Sequence, residues 1–215
     1  MIFWIAWIIM CPIVAIFWPT KIIGKHYLKK VKKQSAIFCS NHQTNSDAII
    51  YKVKVKTNVK IMAKKSLFKS KIGGWFLKKC GAYPVDRGGN DINAVKTTLK
   101  YLKDKKHVLI FPEGTRIQNA DALSLKTGVV TFALKTDSYI VPTCFKKVTK
   151  AFVRNQLIVG KPFRFSDMEE FKDKKIDKEL ISKANEVLSN KMNGLKNINV
   201  KEYKKQIKNE KKNLK

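Results

Sequence analysis

The chain has 215 residues, and 44% of them are hydrophobic. This length allows one domain of ordinary size, and this composition excludes an intrinsically disordered protein. Its 45 Lys and Arg against 16 Asp and Glu give a formal charge of +29, which indicates an anionic partner such as phospholipid headgroups, nucleic acid or an acidic protein. The cysteines (Cys11, Cys39, Cys80 and Cys144) lack the short spacings of a zinc site or a disulfide scaffold, so we interpret them as free thiols in a reducing compartment.

The N-terminal segment has the character of a membrane anchor. Residues 1–20 contain no charged side chain, and a helix of that length reaches about 30 Å, the hydrocarbon thickness of a bilayer. Trp4, Trp7 and Trp18 lie near its two ends, as in an interfacial belt. Pro12 leaves a straight span, a helical hairpin and an in-plane helix open. Six lysines follow within residues 21–33, which by the positive-inside rule places the rest of the chain on the cytoplasmic face of the cell membrane.

Beyond the anchor, short apolar runs alternate with amphipathic stretches. The strands are predicted at residues 35–40, 59–63, 82–85, 107–111, 139–144 and 156–159. The helices are predicted at residues 47–55, 72–79, 91–104, 127–136 and 167–193. Such alternation predicts an α/β fold with a mostly parallel sheet flanked by helices. We divide the chain into a membrane anchor and basic linker (1–34), a folded domain (35–193) and a frayed or disordered basic tail (194–215).

The first predicted strand ends in a polar segment that contains His42 and Asp47. In an α/β sheet this position lies at the carboxyl end of a strand, where ligands bind. Residues five apart are about 140° apart around a regular helix, so the two side chains meet only if the segment between them turns. A carboxylate that holds one ring nitrogen would leave the other free to act as a base. The alternative is that Asp47 is an ordinary helix N-cap.

A second polar cluster follows the most apolar strand and consists of Glu113, Gly114, Thr115 and Arg116 after Phe-Pro. Glycine allows close backbone approach to a ligand, the Thr hydroxyl can donate a hydrogen bond, and the Arg fork suits phosphate oxygens. These residue types predict an anion site. The alternative is a simple β-turn.

Taken together, the motifs resemble those of the glycerolipid acyltransferase family, in particular the bacterial 1-acyl-sn-glycerol-3-phosphate acyltransferases. The resemblance covers roughly residues 37–159 and rests on five motifs in order, which are Asn41-His42-x4-Asp47 (the HX4D motif), Gly81 to Arg87, Phe111 to Arg116, Leu125-Lys126-x-Gly128 and Val141-Pro142. The family implies an acyltransferase of phospholipid biosynthesis, with a similar α/β fold and a membrane anchor.

Site roles follow from the resemblance residue by residue. His42 would be the general base and Asp47 its orienting partner. The substrate's phosphate and glycerol would be bound by Glu113, Gly114, Thr115 and Arg116, with Arg87 and Lys126 as further phosphate ligands. No metal and no cofactor is implied, because acyl-CoA or acyl-acyl carrier protein is a co-substrate. Cys39 could instead be an acylated nucleophile, but its position late in an apolar strand is typical of a buried thiol.

The implied partners are lysophosphatidate, an acyl thioester and an anionic membrane surface, with acyl carrier protein as a further candidate and no nucleic acid. Two alternatives remain at this stage. The acceptor could be glycerol-3-phosphate or another lysolipid. In a different class, the chain could be a basic protein that binds membranes or nucleic acid, which would account for the charge but not for the coincidence of the motifs.

Overall fold

The computed structural model describes residues 11–55, 58–86, 91–116 and 125–212. Within these ranges seven strands form one sheet. The strands are β1 (Thr20–Ile23), β2 (Ala36–Ser40), β3 (Val59–Lys64), β4 (Ala82–Val85), β5 (His107–Ile110), β6 (Tyr139–Phe145) and β7 (Asn155–Val159). The helices are α1 (Tyr27–Lys30), α2 (Ser46–Val55), α3 (Lys71–Lys79), α4 (Ile92–Lys103), α5 (Gly128–Thr136), α6 (Lys178–Asn197) and α7 (Val200–Lys212). Short 3₁₀ turns occur at Lys65–Phe68, Phe165–Asp167 and Glu169–Phe171.

The strands lie in the order β1-β7-β6-β2-β5-β3-β4. Neighbouring strands are parallel except for β6 and β7, which are antiparallel. The predicted α/β fold with a mostly parallel sheet is therefore confirmed. In such a sheet the strands β2, β3, β4, β5 and β6 all end at one edge, which we call the carboxyl edge.

Two hydrophobic cores lie on opposite faces of the sheet, as strand alternation requires. In β2 every residue is buried, with Phe38 in one core and Ile37 in the other. The first core includes Tyr51 of α2 and Ile207 of α7, and the second includes Leu188 of α6. Strands buried on both faces read as continuous apolar runs, which is why β2 and β5 were predicted correctly.

In the N-terminal region, the part predicted as a basic linker is structured. Residues 1–10, which carry half of the predicted anchor, lie outside the described residues. Residues 11–17 are helical, and among the described residues no helix has both the length and the apolarity to cross a membrane. The segment predicted as a linker contains β1, which pairs with β7, and α1, whose Tyr27 is buried. Ladder hydrogen bonds to a strand more than 130 positions away are not visible in local sequence.

The C-terminal tail was predicted to be frayed, and this was wrong for residues 194–212. Helix α6 continues to Asn197, and α7 follows it. Tyr203 and Ile207, four residues apart on one helical face, are both buried against the domain. The Tyr203 hydroxyl donates to the Val159 carbonyl at 2.9 Å, and the Tyr27 hydroxyl donates to Glu210 at 2.5 Å. Tertiary contacts of two apolar side chains therefore hold a helix whose remaining surface is mostly Lys.

Candidate active site

The two predicted polar clusters meet because their strands are neighbours. Strands β2 and β5 are parallel and in register, with Cys39 opposite Ile110. The residues that follow each strand therefore emerge side by side at the carboxyl edge. His42 lies three positions beyond Cys39, and Glu113 three positions beyond Ile110.

His42 and Asp47 are in direct contact. Residues 41–45 are not helical, so the chain turns between the two residues and the 140° separation of a regular helix does not apply. His42 Nδ1 lies 3.2 Å from Asp47 Oδ2. An ionised carboxylate can only accept, so Nδ1 carries the proton and Nε2 is the basic nitrogen. Both residues are buried, with His42 8% exposed and Asp47 0%.

Besides the predicted contact with His42, Asp47 has several further hydrogen-bond partners. Its Oδ2 also accepts from the backbone N–H groups of Gln43 at 2.6 Å and Thr44 at 2.7 Å. Its Oδ1 accepts from the hydroxyls of Thr44 at 2.9 Å and Thr149 at 2.7 Å. Burial on its own would raise the pKa of Asp47, but the bonds from His42, Thr44, Thr149 and Gln43 outweigh it and hold the pKa below its usual value. Asp47 is therefore ionised. It is not the N-cap of α2, because it lies within that helix and accepts from backbone N–H groups that precede it.

The backbone N–H groups of the turn after His42 are engaged within the protein. In an acyl transfer, free N–H groups at such a position could donate to the tetrahedral oxyanion. Those of Gln43 and Thr44 point to Asp47 instead. The turn thus serves to position the carboxylate.

Glu113 lies against His42 in a tight turn after β5. The Gly114 N–H donates to the Phe111 carbonyl at 3.1 Å, and Gly114 has a φ of +70°, a conformation that favours glycine. The His42 N–H donates to Glu113 Oε2 at 3.3 Å, and the Phe111 ring stacks on the imidazole at a centroid distance of 4.1 Å. The turn predicted as the alternative is present, and it places a carboxyl and an aromatic ring against His42.

Glu113 is 5% exposed, and its Oε1 has no hydrogen-bond partner among the residues that the structure describes. Burial raises the pKa of Glu113 to about 7, against the opposing effects of the His42 N–H bond and the positive charge of Lys196. A carboxyl with such a pKa is present in both protonation states near neutral pH. The buried Oε1 could therefore donate to or accept from a bound hydroxyl.

The remaining predicted residues lie around this turn, except for one that falls outside the described residues. Thr115 and Arg116 are exposed. The Lys126 N–H donates to the Pro112 carbonyl at 2.9 Å, and its side chain crosses Gly114 so closely that a Cβ there would lie 2.8 Å from Lys126 Cε. The mainly apolar cavity of about 210 Å³ beside them is lined by Met62, Val85, Asp86, Ile110, Phe111, Pro112, Gly114, Lys126, Gly128, Val129 and Phe132. Arg87 lies outside the described residues.

Comparison with known proteins settles the family. A family model described as "Acyltransferase" matches residues 20–146, which include both polar clusters. The chain belongs to the acyltransferase family. It is 35% identical over 141 residues to a 1-acyl-sn-glycerol-3-phosphate acyltransferase of Bacillus subtilis, covering 63% of this chain and 68% of that protein. It is 29% identical over 161 residues to the protein of the same name from Streptococcus pneumoniae, covering 71% of this chain and 60% of that one.

The acyltransferase is also similar in fold to a solved structure. The crystal structure of the 1-acyl-sn-glycerophosphate (LPA) acyltransferase PlsC from Thermotoga maritima superposes with a TM-score of 0.61 at 21% identity. The match covers 83% of this chain and 73% of that one. At this identity the likeness shows that the two chains share an α/β fold with a mostly parallel sheet.

Cys39 of the acyltransferase is fully buried, with 0% of the residue exposed. Burial, assisted by the negative charge of Glu113, raises the pKa of the Cys39 thiol far above its ordinary value. A thiol with a raised pKa is a poor nucleophile at neutral pH, because only the thiolate attacks. The structure therefore favours the buried-thiol interpretation of Cys39.

Glu113→Gln provides a test of the Glu113 environment in the acyltransferase. The pKa of Glu113 in the folded protein is about 7, above its ordinary value of 4.5. The contribution of the neutral carboxyl to the free energy of unfolding is therefore fully present below about pH 4.5 and is lost as the pH rises through about 7. Glu113→Gln keeps a neutral acceptor for the His42 N–H. Above pH 7 the variant should be more stable than the parent protein, by up to about 3 kcal/mol.

The measurement is urea unfolding of both proteins from about pH 4.5 to about pH 8 at constant ionic strength. The difference between their free energies of unfolding isolates Glu113 from the other titrating groups. A difference that stays constant with pH would show that Glu113 ionises normally.

Proposed function

We propose that this acyltransferase moves an acyl group from an acyl thioester to the 2-hydroxyl of 1-acyl-sn-glycerol-3-phosphate and releases phosphatidate. The observation that carries the proposal is the contact between His42 and the ionised Asp47 beside the Glu113 turn, inside the residues that the family model matches. The relatives from Bacillus subtilis and Streptococcus pneumoniae carry the name of this activity.

The proposed chemistry uses His42 as a general base. Asp47 holds Nδ1–H, so Nε2 takes the proton of the glycerol 2-hydroxyl as its oxygen attacks the thioester carbonyl. The negative charge of Asp47 stabilises the imidazolium that forms. When the tetrahedral intermediate collapses, the C–S bond breaks and the leaving thiolate takes the proton from His42. Each proton that leaves the acceptor therefore ends on the released thiol.

Binding of the acceptor is assigned to the Glu113 turn. Arg116 and Lys126 would bind phosphate oxygens, with Arg87 as a further phosphate ligand. Gly114 would allow close approach of the ligand to the backbone, and the Thr115 hydroxyl would donate a hydrogen bond. Glu113 Oε1 would contact a glycerol hydroxyl. The side chain of Lys126 already lies over Gly114, which supports a common site for these groups.

Direct assay tests the proposal. Purified protein is incubated with labelled acyl thioester and, in parallel, with lysophosphatidate, glycerol-3-phosphate and other lysolipids as acceptors. Phosphatidate from lysophosphatidate is the expected product. Transfer to glycerol-3-phosphate alone would change the acceptor, and salt-dependent lipid or nucleic-acid binding without any product would assign the chain to the binding class.

The location and the donor form the rest of the proposal. We place the protein at the cell membrane with the site on the cytoplasmic face, because the proposed substrate is a membrane lipid and residues 1–20 are uncharged and followed by lysines. Acyl-CoA and acyl-acyl carrier protein are both anionic thioesters that a chain of charge +29 would attract. Running the assay with each donor separates them.

Arg116→Lys should weaken acceptor binding specifically. Lysine keeps the charge but loses the planar fork that binds two phosphate oxygens at once. The KM for lysophosphatidate should rise about tenfold while the KM for the acyl donor changes little. Steady-state kinetics with each substrate varied in turn makes the measurement.

Arg164→Lys is the matched control, because Arg164 pairs with Asp137 and Asp167 outside the site. It should leave both KM values near those of the parent protein. If Arg116→Lys raised the donor KM instead, Arg116 would belong to the thioester side of the site.

A further inference from the structure

The β6–β7 loop (residues 146–154) lies at the carboxyl edge. Strand β6 runs parallel to β2, so the chain leaves β6 beside the segment that carries His42, and β7 begins at the same edge. The loop reads Lys-Lys-Val-Thr-Lys-Ala-Phe-Val-Arg, and no acidic residue occurs between Asp137 and Asp167. Phe152 is 71% exposed and Val153 53%. An exposed aromatic ring among cations is therefore presented next to the candidate active site.

The loop is held in a fixed shape. Asn155 is buried; its side chain accepts from the Lys150 N–H at 3.1 Å and donates to the carbonyls of Lys150 at 3.0 Å and Val153 at 2.9 Å. Phe152 has a φ of +60°, a left-handed conformation that is unfavourable for a bulky residue. Internal contacts thus maintain a strained backbone that points an aromatic side chain into solvent.

The exposed apolar surface continues onto the helical residues 11–17. The Phe17 and Phe152 rings are 4.9 Å apart, and the Phe152 N–H donates to the Phe17 carbonyl at 2.6 Å. Ile13, Ile16 and Phe17 have the spacing of one helical face, and Ile13 and Ile16 are also exposed. Five apolar side chains therefore share one surface.

We propose that the β6–β7 loop docks on an anionic bilayer, with Phe152 and Val153 in the interfacial region and Lys147, Lys150 and Arg154 at lipid phosphates. Apolar side chains flanked by cations are the chemistry of peripheral membrane binding. An acidic protein would also match the charge, but this surface continues onto residues 11–17 of the uncharged N-terminal segment, and that continuity favours a bilayer. Thr149, in the same loop, is 5% exposed and donates to Asp47 at 2.7 Å. Docking through this loop therefore places the candidate catalytic pair at the lipid surface.

The test places a tryptophan in the loop of the full-length chain. Phe152→Trp is mixed with vesicles that contain brominated phosphatidylcholine and phosphatidylglycerol, and the fluorescence of the parent protein is subtracted. The added indole should be quenched. The matched control is Gln34→Trp, an uncharged exposed position before β2 at the opposite edge, which should not be quenched.

Charge variants in the Phe152→Trp background test the electrostatic part. Quenching should be stronger on vesicles with phosphatidylglycerol than on phosphatidylcholine alone, and Lys147→Gln with Lys150→Gln should reduce that difference. Lys29→Gln with Lys105→Gln removes the same charge from the cavity at the opposite edge and should leave the difference intact.

The proposal would be overturned if the indole of Phe152→Trp were not quenched on vesicles that sediment with the protein. It would also be overturned if the two pairs of Lys→Gln substitutions changed the quenching equally. Shielding of that indole by acyl carrier protein without lipid quenching would assign the surface to a protein partner and also overturn it. The inference deepens the proposed function, but quenching needs no turnover. Quenching by a protein inactive on every acceptor would therefore contradict the acyltransferase proposal and leave docking supported.

Discussion

Purified His42→Ala is expected to lose acyl transfer to lysophosphatidate by a factor of about 10² to 10⁴. The variant lacks the imidazole that is proposed to take the hydroxyl proton when the acceptor attacks the thioester. Asp47 then has no ring to orient. The backbone N–H that donates to Glu113 remains in alanine, so the turn after β5 keeps its contact. The measurement is kcat/KM with saturating donor.

Two controls keep this result interpretable. His26→Ala removes an imidazole from the opposite edge, where His26 lines a Lys-rich cavity, and should leave kcat/KM unchanged. Thermal unfolding of His42→Ala should show a cooperative transition, since only a ring contact with Phe111 and the bond to Asp47 are lost. A folded His42→Ala enzyme with normal turnover would eliminate the general-base mechanism.

The part of the site that the sequence predicted is the part formed by local segments. His42 and Asp47 are five residues apart and follow a buried strand, so their meeting needed only a turn, and residues 41–45 supply it. The Glu113 cluster follows a strand of the same kind. Its contact with His42 depends on β2 and β5 being neighbours in the sheet, which apolar runs alone do not determine.

Thr149 shows why the remainder was missed. It lies 102 positions beyond Asp47 in the sequence and belongs to none of the motifs. Its hydroxyl reaches the carboxylate because β6 pairs with β2 and carries the following loop back to the same edge. A lone Thr in a basic loop gives no signal of this contact in the local sequence. In the structure the contact is evident, because Thr149 supplies one of the five described hydrogen-bonding atoms around the buried Asp47 carboxylate.

The missed elements of the fold have a similar cause. Strand β1 follows an apolar segment and includes Lys21, so its sequence resembles the end of an anchor; its pairing with β7 decides its structure. Helix α7 is Lys-rich, and its burial rests on Tyr203 and Ile207. In both elements tertiary contacts override a weak local pattern, as they often do for marginal segments.

The two carboxyl groups around His42 are tuned in opposite directions. Hydrogen bonds lower the pKa of Asp47 despite its burial, while burial raises the pKa of Glu113 to about 7. Environments that separate the pKa values of neighbouring acids commonly assign them different roles. Here the separation fits a fixed negative partner for the imidazolium at Asp47 and a neutral or exchangeable contact for substrate at Glu113.

Asp47→Asn should lower kcat by about 10² to 10⁴-fold, an effect comparable to loss of the base. The amide oxygen can take the place of Oδ2 and accept from Gln43 and Thr44, and the amide nitrogen can face the hydroxyls of Thr44 and Thr149, which rotate to accept. The fold therefore has a route to survive, while the imidazolium of His42 loses its negative partner. Asp167→Asn is the matched control, because Asp167 is exposed, lies outside the site and pairs with Arg164; it should retain activity.

Combining Asp47→Asn with His42→Ala separates orientation from an independent structural effect. If Asp47 acts through the imidazole, then once the ring is gone its substitution has nothing further to remove, and the double variant should be as active as His42→Ala alone. If Asp47 contributed separately, for example by holding the turn that shapes the acceptor site, the two losses would multiply and the double variant would be about 10²-fold or more slower than either single variant. The comparison needs an assay sensitive to residual activity, so single-turnover measurements with labelled thioester at high enzyme concentration are the suitable readout. A multiplicative result would mean that the 3.2 Å contact between Nδ1 and Oδ2 positions the polypeptide and not the proton.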